Sequence, residues 1–260
     1  MEYQHIIRRG EGERMNILIL GGTRYFGIHL VNNLINSGHN ITIATRGIVK
    51  DHFEDKVDRI ILNRHQKHSL NRELNGRSFD MIYDNIAFCS NDVKNLLHTV
   101  ETKRYIMTST VSVYNNFHHN ITEDEFDPLT HNLSWCSEND FSYDEAKRQA
   151  ESALFQKYPH IPSIAVRFPW VIGTDDYTKR LYFYVEHVLR GVPMNIDNLN
   201  SELTFINSQE AGEFLAYLLT KDFTKTINAS SNGYITIAQI LHYSQMALKY
   251  ATISRSSDYI

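Results

Sequence analysis

Tyr143 and Lys147 stand four residues apart in the stretch YDEAK, a spacing that puts a phenol and an ammonium on one face of a helix. A cation beside a phenol stabilises the phenolate, so the Tyr143 pKa is expected to fall toward the range of a working general acid and base. The pattern alone is common: 15 Tyr and 11 Lys in 260 positions give about 0.6 chance occurrences. A second occurrence, Tyr217 with Lys221, is present. Context separates the two. Tyr143 opens a helix after a candidate fifth strand whose end carries three hydroxyls, Thr108, Ser109 and Thr110. Tyr217 falls late in a helix near the C-terminus and reads as core.

A second chemistry-bearing stretch is GGTRYFG, residues 21–27. A tight turn from strand into helix aims backbone N–H groups and the helix dipole at a pyrophosphate. Gly21 is expected to make the turn and Gly27 to let the helix approach the sheet, with the amides of Tyr25 and Phe26 as donors. The bland alternative is an ordinary strand–helix turn. Arg24 stands where such loops often carry a glycine. At the end of the second strand, where NAD-selective sites place an acid for the ribose 2′-hydroxyl, the chain reads Thr45-Arg46-Gly47. A guanidinium there suits a 2′-phosphate, which it can hold through two parallel charge-assisted bonds. Arg24 and Arg46 are therefore expected to clamp that phosphate and favour NADP over NAD; the competing reading is two solvated surface arginines.

The elements that must position these groups alternate along the chain. NILIL (16–20) reads as a strand, residues 25–37 as a helix with Phe26, Leu30, Val31, Leu34 and Ile35 on one face, and ITIAT (41–45) as a second strand. Further strands are expected at 59–62, 79–88, 104–110 and 161–168, with helices over 91–100 and 144–158. Short apolar strands alternating with helices predict an α/β fold, a Rossmann-type doubly wound parallel sheet covered on both faces. Residues 15–173 read as the NAD(P)-binding domain and 174–260 as a small C-terminal substrate lobe. In that lobe helices are expected over 177–190, after a Ser208 cap, and from residue 236 onward. Residues 1–14 show no helix or strand period and read as an extended segment or a misassigned start.

Composition narrows the class. Hydrophobic content of 42% with 22% charged residues is that of a globular chain. A net charge of −4 offers no electrostatic case for nucleic acid. Cys89 and Cys136 have no metal or redox spacing, no apolar run approaches a membrane span, and no secretion signal is present, so a cytoplasmic protein with two reduced thiols is expected.

Taken together, these segments resemble the extended short-chain dehydrogenase/reductases, the group of the NAD-dependent epimerases and dehydratases. GGTRYFG resembles GGTGFIG, MTSTVSVY resembles FSSSATVYG, ITEDEFDPL resembles ITEDDPL, YDEAKRQAE resembles YGRSKLEAE, and VRFPWVIG resembles LRPGNVYG. LTFINSQEAGEFL resembles the return to the cofactor domain. The likeness runs from Met15 to the last helix. It implies Thr110 as the hydroxyl that holds the substrate oxygen, Tyr143 as acid and base, and Lys147 as partner of the phenol and ligand of the ribose. It also implies Thr23 and Thr108 in the cofactor site, Pro169 and Val171 beside the nicotinamide, and Ala87 and Phe88 flanking the cofactor. A small-molecule substrate and a helix-pair homodimer through residues 90–101 and 144–158 follow by analogy.

The sequence departs from the group in three ways. Arg24 replaces a glycine, and together with Thr45-Arg46-Gly47 it resembles an atypical branch that includes chloroplast stem-loop RNA-binding proteins, although those lack the Tyr143/Lys147 pair. The C-terminal lobe is short for a sugar-nucleotide enzyme. Asn63 stands where the group often has an Asp at the adenine. The histidine pairs His65/His68 and His118/His119 lack a third ligand at zinc spacing and read as surface residues, so no metal is expected. Glu123-Asp-Glu125 reads as an acidic loop rather than a catalytic pair, and Trp170 has a better claim than Trp135 to a substrate pocket. The reading is an NAD(P)-dependent epimerase, dehydratase or reductase; the alternatives are an NADP(H)-binding regulator without turnover and an RNA-binding protein.

Overall fold

The computed structural model describes residues 13–257, with side chains to residue 247. All but the last two residues of the expected irregular start therefore lie outside the described residues. The first half of the chain runs β1 (Asn16–Leu20), α1 (Phe26–Asn36), β2 (Asn40–Thr45), β3 (Asp58–Ile61), α2 (Lys67–Leu74), β4 (Ser78–Phe79) and β5 (Met81–Asp84). It continues with α3 (Ser90–Leu97), β6 (Glu101–Thr102), β7 (Tyr105–Thr110), α4 (Tyr143–Lys157), β8 (Ser163–Phe168) and β9 (Trp170–Ile172). The remainder is α5 (Arg180–Arg190), β10 (Glu202–Leu203), β11 (Phe205–Asn207), α6 (Ser208–Tyr217), β12 (Lys225–Asn228), β13 (Ile235–Thr236) and α7 (Ile237–Ser257).

Seven strands form one parallel sheet in the order β12-β8-β7-β5-β1-β2-β3. From β1 the chain winds outward to β2 and β3, then returns to the other side of β1 as β5 and winds away through β7, β8 and β12. The reversal between β1 and β5 leaves a crevice at the carboxyl ends of the strands, the place where open sheets of this kind take ligands. The two-residue side-chain period splits the core into two layers. Ile17 and Ile19 of β1 pack with Leu30, Val31 and Leu34 of α1 and with Ala211 and Leu215 of α6. Leu18 and Leu20 face Leu70, Val93, Leu96 and Ala150 on the opposite side. Each fully buried aliphatic contributes about 1.5–3 kcal/mol, which is why a strand with no polar face belongs at the centre of such a sheet.

The last third of the chain returns to this framework. β12 extends the sheet beside β8, β11 pairs with β9, and α6 lies against α1. The helices touch because Gly212 has no side chain: a Cβ there would sit 2.5 Å from the His29 Cβ and 2.7 Å from the Leu30 nitrogen.

Three local expectations are corrected. Asn207, not Ser208, caps α6, accepting from the Gln209 amide at 2.9 Å, while the Ser208 hydroxyl donates to Asp175 at 2.6 Å. Tyr217 is 56% exposed rather than core, with the Lys221 ammonium 4.2 Å over its ring. The helix turns that residue outward, where a cation can cover it. The helix-pair interface is the third. Every residue of α4 from Ala146 to Leu154 is buried within the protomer. The Gln149 amide donates to the Asn132 carbonyl at 3.0 Å, and that of Gln156 donates to the carbonyls of Pro128 and His131. The 128–134 segment thus occupies the α4 half of the interface expected from residues 144–158. Among the described residues no helix is long and apolar enough to cross a membrane.

Candidate active site

The crevice is a cleft of about 1720 Å³ whose lining includes Arg46 and Asn63 beyond β2 and β3, Leu20 and Gly21 at the end of β1, and the 228–234 loop beyond β12. Gly21 (φ +80°) turns the chain out of β1, and the Asn85 side-chain amide donates to its carbonyl at 3.4 Å. Gly27 has no room for a substituent: a Cβ would lie 2.2 Å from the Gly21 oxygen. Tyr25 adopts φ +59°, rare for a non-glycine residue, and its hydroxyl donates to the Val171 carbonyl, which pins the bend to β9.

The loop fits a pyrophosphate. α1 begins with no side-chain cap and no acid in its first turn, and the amides of Tyr25 and Phe26 have no protein acceptor among the described residues. Orphan N–H groups at a helix start favour an anion.

The two arginines occupy different surroundings. Arg24 stacks over Tyr177, 5.1 Å from the ring centre, in the segment between β9 and α5. Arg46 lies exposed at the end of β2 and lines the cleft without a carboxylate partner among the described residues. Asn63 lines the same end, its side-chain oxygen accepting from the His65 amide at 3.1 Å.

The catalytic candidates meet at the ends of β7 and α4. Tyr143 and Lys147 both line the cleft, with Thr108 and Thr110 beside them. Tyr143 packs against Phe88 with ring centres 6.5 Å apart. Lys147 is 2% exposed; its ammonium donates to the carbonyls of Ala87 at 2.7 Å and Thr108 at 2.9 Å and lies 4.9 Å from the Phe88 ring. Two of its three donors are engaged, and one remains. Burial drives its pKa down to about 8. Thr110 accepts from the Ser112 amide at 3.1 Å and donates to the Ser112 hydroxyl at 3.2 Å. Thr108 donates to Asn85 at 2.9 Å.

One electrostatic expectation is overturned. The Tyr143 pKa is raised, not lowered: the residue as a whole is 53% exposed, but the loss of solvent around its phenol outweighs the neighbouring groups. The neighbouring Thr110 hydroxyl and the Arg180 guanidinium pull it down only in part. Lys147 sits on the same helix face, but its charge is turned into the sheet toward two carbonyls.

Of the remaining residues singled out from the sequence, Thr23, Phe26, Pro169 and Val171 line the cleft, whereas Gly27 and Ala87 lie just behind its wall. Trp170 lines it, with Phe205 6.1 Å away, and Trp135 lies outside it beneath the Lys94 ammonium. Glu123 and Glu125 are structural: Glu123 accepts from the Asn228 amide, and Glu125 closes a capping box with Thr122 and pairs with His118 at 2.6 Å.

Other residues at the site had no forewarning. Asp84, at the end of β5, is fully buried and bidentate with Arg64 at 2.6 and 2.9 Å, and also accepts from Tyr105 at 2.8 Å. A charged residue ending an apolar strand was the available signal. Arg167 and Glu151, both 0% exposed, pair at 2.6 Å behind Ser109. Arg180 opens α5 and lines the cleft near the phenol.

No family model matches the chain. It is 25% identical over 239 residues to the chloroplast stem-loop binding protein of 41 kDa b of Arabidopsis thaliana; the match covers 85% of this chain and 60% of that protein's length. Among solved structures it is similar to the UDP-glucose 4-epimerase of Thermus thermophilus, in a complex with NAD, with TM-score 0.67 and 16% identity over 90% of this chain and 84% of that one. It is also similar to the dTDP-glucose 4,6-dehydratase of Bacillus anthracis, in complex with NAD, with TM-score 0.67 and 18% identity over 90% and 81% of the two chains. The seven-stranded parallel sheet, its winding and the cleft at its reversal give this chain a Rossmann-type fold shared with these epimerase and dehydratase structures.

Proposed function

We propose that this chain is a nicotinamide-dependent oxidoreductase of the epimerase/dehydratase type, favouring NADP(H), and acting on a sugar nucleotide or another small hydroxy or carbonyl compound. The observation that carries the reading is one cleft holding both an uncapped, amide-lined turn and the Tyr143/Thr110/Lys147 group. The amides of Tyr25 and Phe26 hold the pyrophosphate, and Arg46 takes the 2′-phosphate. Arg24 adds positive charge on the Tyr177 side. The free donor of Lys147 reaches a ribose hydroxyl. A bound nicotinamide supplies the hydride donor or acceptor at its C4. Thr110 holds the substrate oxygen, and Tyr143 passes it a proton on reduction or takes the hydroxyl proton on oxidation.

The test is a titration with NADPH and NADH, followed by NADPH oxidation against a panel of carbonyl compounds. Arg46→Ala is expected to weaken NADPH, and not NADH, about 10- to 100-fold, the loss of a charge-assisted phosphate contact. Tyr143→Phe is expected to lower turnover by about 100-fold or more while leaving nucleotide binding intact. Absence of binding by either nucleotide overturns the proposal. Binding without any turnover would favour an NADP(H)-binding regulator, and binding of stem-loop RNA would favour an RNA-binding protein, the reading that rests on the name of the Arabidopsis relative.

A further inference from the structure

Behind the cleft wall, three side chains from separate parts of the chain meet at one carboxylate. Asp175, in the segment between β9 and α5, contacts the His29 Nε2 of α1 at 2.9 Å through Oδ2. Through Oδ1 it accepts from the Ser208 hydroxyl of α6 at 2.6 Å. Gly173 leaves room for this cluster: a Cβ there would run into the Ser208 Oγ and lie 2.6 Å from the Asp175 Oδ1. A serine, a histidine and an aspartate together suggest a hydrolytic triad, but here the carboxylate stands between the other two. The Ser208 hydroxyl gives its proton to Asp175 and not to an imidazole, so nothing prepares it as a nucleophile. None of the three lines the cleft.

The segment that Asp175 anchors is also fastened to the glycine-rich turn. Tyr177, two residues further on, sets its ring edge-on to Tyr25 with centres 6.0 Å apart and lies under the Arg24 guanidinium at 5.1 Å. Tyr177 is 59% exposed, so its position depends on the backbone that carries it. That backbone is stiff: the Asp176 amide donates to the Gly173 carbonyl at 3.1 Å, and the Thr178 amide donates to Asp176 Oδ1 at 2.8 Å. Tyr25 holds φ +59°, a state that a bulky residue keeps only where its neighbours enforce it. Its hydroxyl bond to the Val171 carbonyl is one such restraint, and the Tyr177 ring is another.

Resting on the oxidoreductase reading, we infer that Asp175 is a positioning residue for the pyrophosphate turn. It ties the 173–178 strap to α1 and α6, and the strap presents Tyr177 to Arg24 and Tyr25. The turn thereby keeps its bend, its two free amides and its guanidinium in place before a nucleotide arrives. Donors fixed in advance cost no ordering on binding. A pyrophosphate is common to both nicotinamide nucleotides, so Asp175 serves NADPH and NADH alike, in contrast to the 2′-phosphate role proposed for Arg46.

The experiment compares the full chain with Asp175→Ala, Tyr177→Ala and the double variant. Affinities for NADPH and NADH are read from nucleotide fluorescence. Amide exchange is followed by NMR without nucleotide at Gly27 and Ile28, whose N–H groups bond to the Arg24 and Tyr25 carbonyls at 3.1 and 3.0 Å. Asp175→Ala is expected to weaken both nucleotides by the same factor, about tenfold, and to speed exchange at both amides. In the double variant the loss is expected to match that of the worse single variant, because both changes cut one line of contacts; an unrelated structural defect would multiply the two losses. Multiplied losses, an effect on one nucleotide alone, or wild-type affinity in Asp175→Ala overturns the inference. His29→Leu removes one arm of the cluster and serves where Asp175→Ala does not fold; it is expected to move the same amides and both affinities in the same direction, and no change in it also overturns the inference. A wild type that takes neither nucleotide sinks the oxidoreductase reading, and exchange then decides alone: faster exchange in Asp175→Ala leaves the strap standing as the support of the turn, and unchanged exchange removes it.

Discussion

Lys147 carries a charge in a place that opposes it, and that opposition can be measured. Burial lowers its pKa from 10.5 to about 8, a difference of 2.5 units. At about pH 7 the ammonium is protonated in both folded and unfolded chains, so the full penalty stands, about 3 kcal/mol. Above the folded pKa the native chain sheds the proton while the unfolded chain keeps it. The unfolded state then binds more protons, and stability rises with pH until about 10.5. Between about pH 7 and pH 9.5 most of that penalty is relieved, a gain of about 2 kcal/mol. Lys147→Met removes the titration. It leaves the carbonyls of Ala87 and Thr108 without their donor, at about 1–3 kcal/mol each, but that loss does not depend on pH. Urea unfolding of both proteins across this range isolates the charge, because every other group cancels in the difference. The wild type is expected to gain on the variant by about 2 kcal/mol, or 0.7–1 M in urea midpoint at an m-value of about 2–3 kcal/mol/M. A flat difference, or a wild type that loses ground as pH rises, refutes the claim that the ammonium is desolvated.

Two further predictions rest on contacts alone. Gly27→Ala forces a methyl to within 2.2 Å of the Gly21 oxygen, so the loop or α1 must shift; a stability loss of about 1–3 kcal/mol and a collapse of NADPH affinity are expected from denaturation and fluorescence titration. Glu151→Ala strips the partner from a guanidinium with no solvent contact and is expected to cost about 3–5 kcal/mol in urea unfolding, with wild-type stability in the variant counting against a paired, desolvated Arg167.

Much of the scaffold is legible in the chain because its signals are local. The apolar run of β1, the face of α1 and the glycines of the loop each answer to a short-range rule: period, cap or positive φ. Alternation of strands and helices predicts a parallel sheet covered on both faces, whereas the strand order and the reversal at β1 are settled by the fold. The spacing of Tyr143 and Lys147 likewise placed both on one helix and in one cleft. Their electrostatic relation was not legible, since it depends on what lies across the helix face. Ala87 and Thr108 come from two other strand ends, and their carbonyls take the ammonium that was expected to serve the phenol.

What the sequence by itself determined is therefore most of the long elements, though not the helix α2 or the split of the expected 79–88 strand, together with the glycine-rich turn and the candidate site residues, all properties of neighbours along the chain. Only the tertiary structure decided which charges remain free. Asp84 neutralises Arg64 from 20 residues away and Glu151 neutralises Arg167 from 16, whereas Arg46 and Arg180 meet no carboxylate among the described residues. It also brought Cys89 and Cys136 into one buried cluster beside Ala146. The physical reason is common to all of these. A side chain's charge state and partner are set by the groups that burial packs around it, and those groups come from strands and helices that no sequence spacing connects.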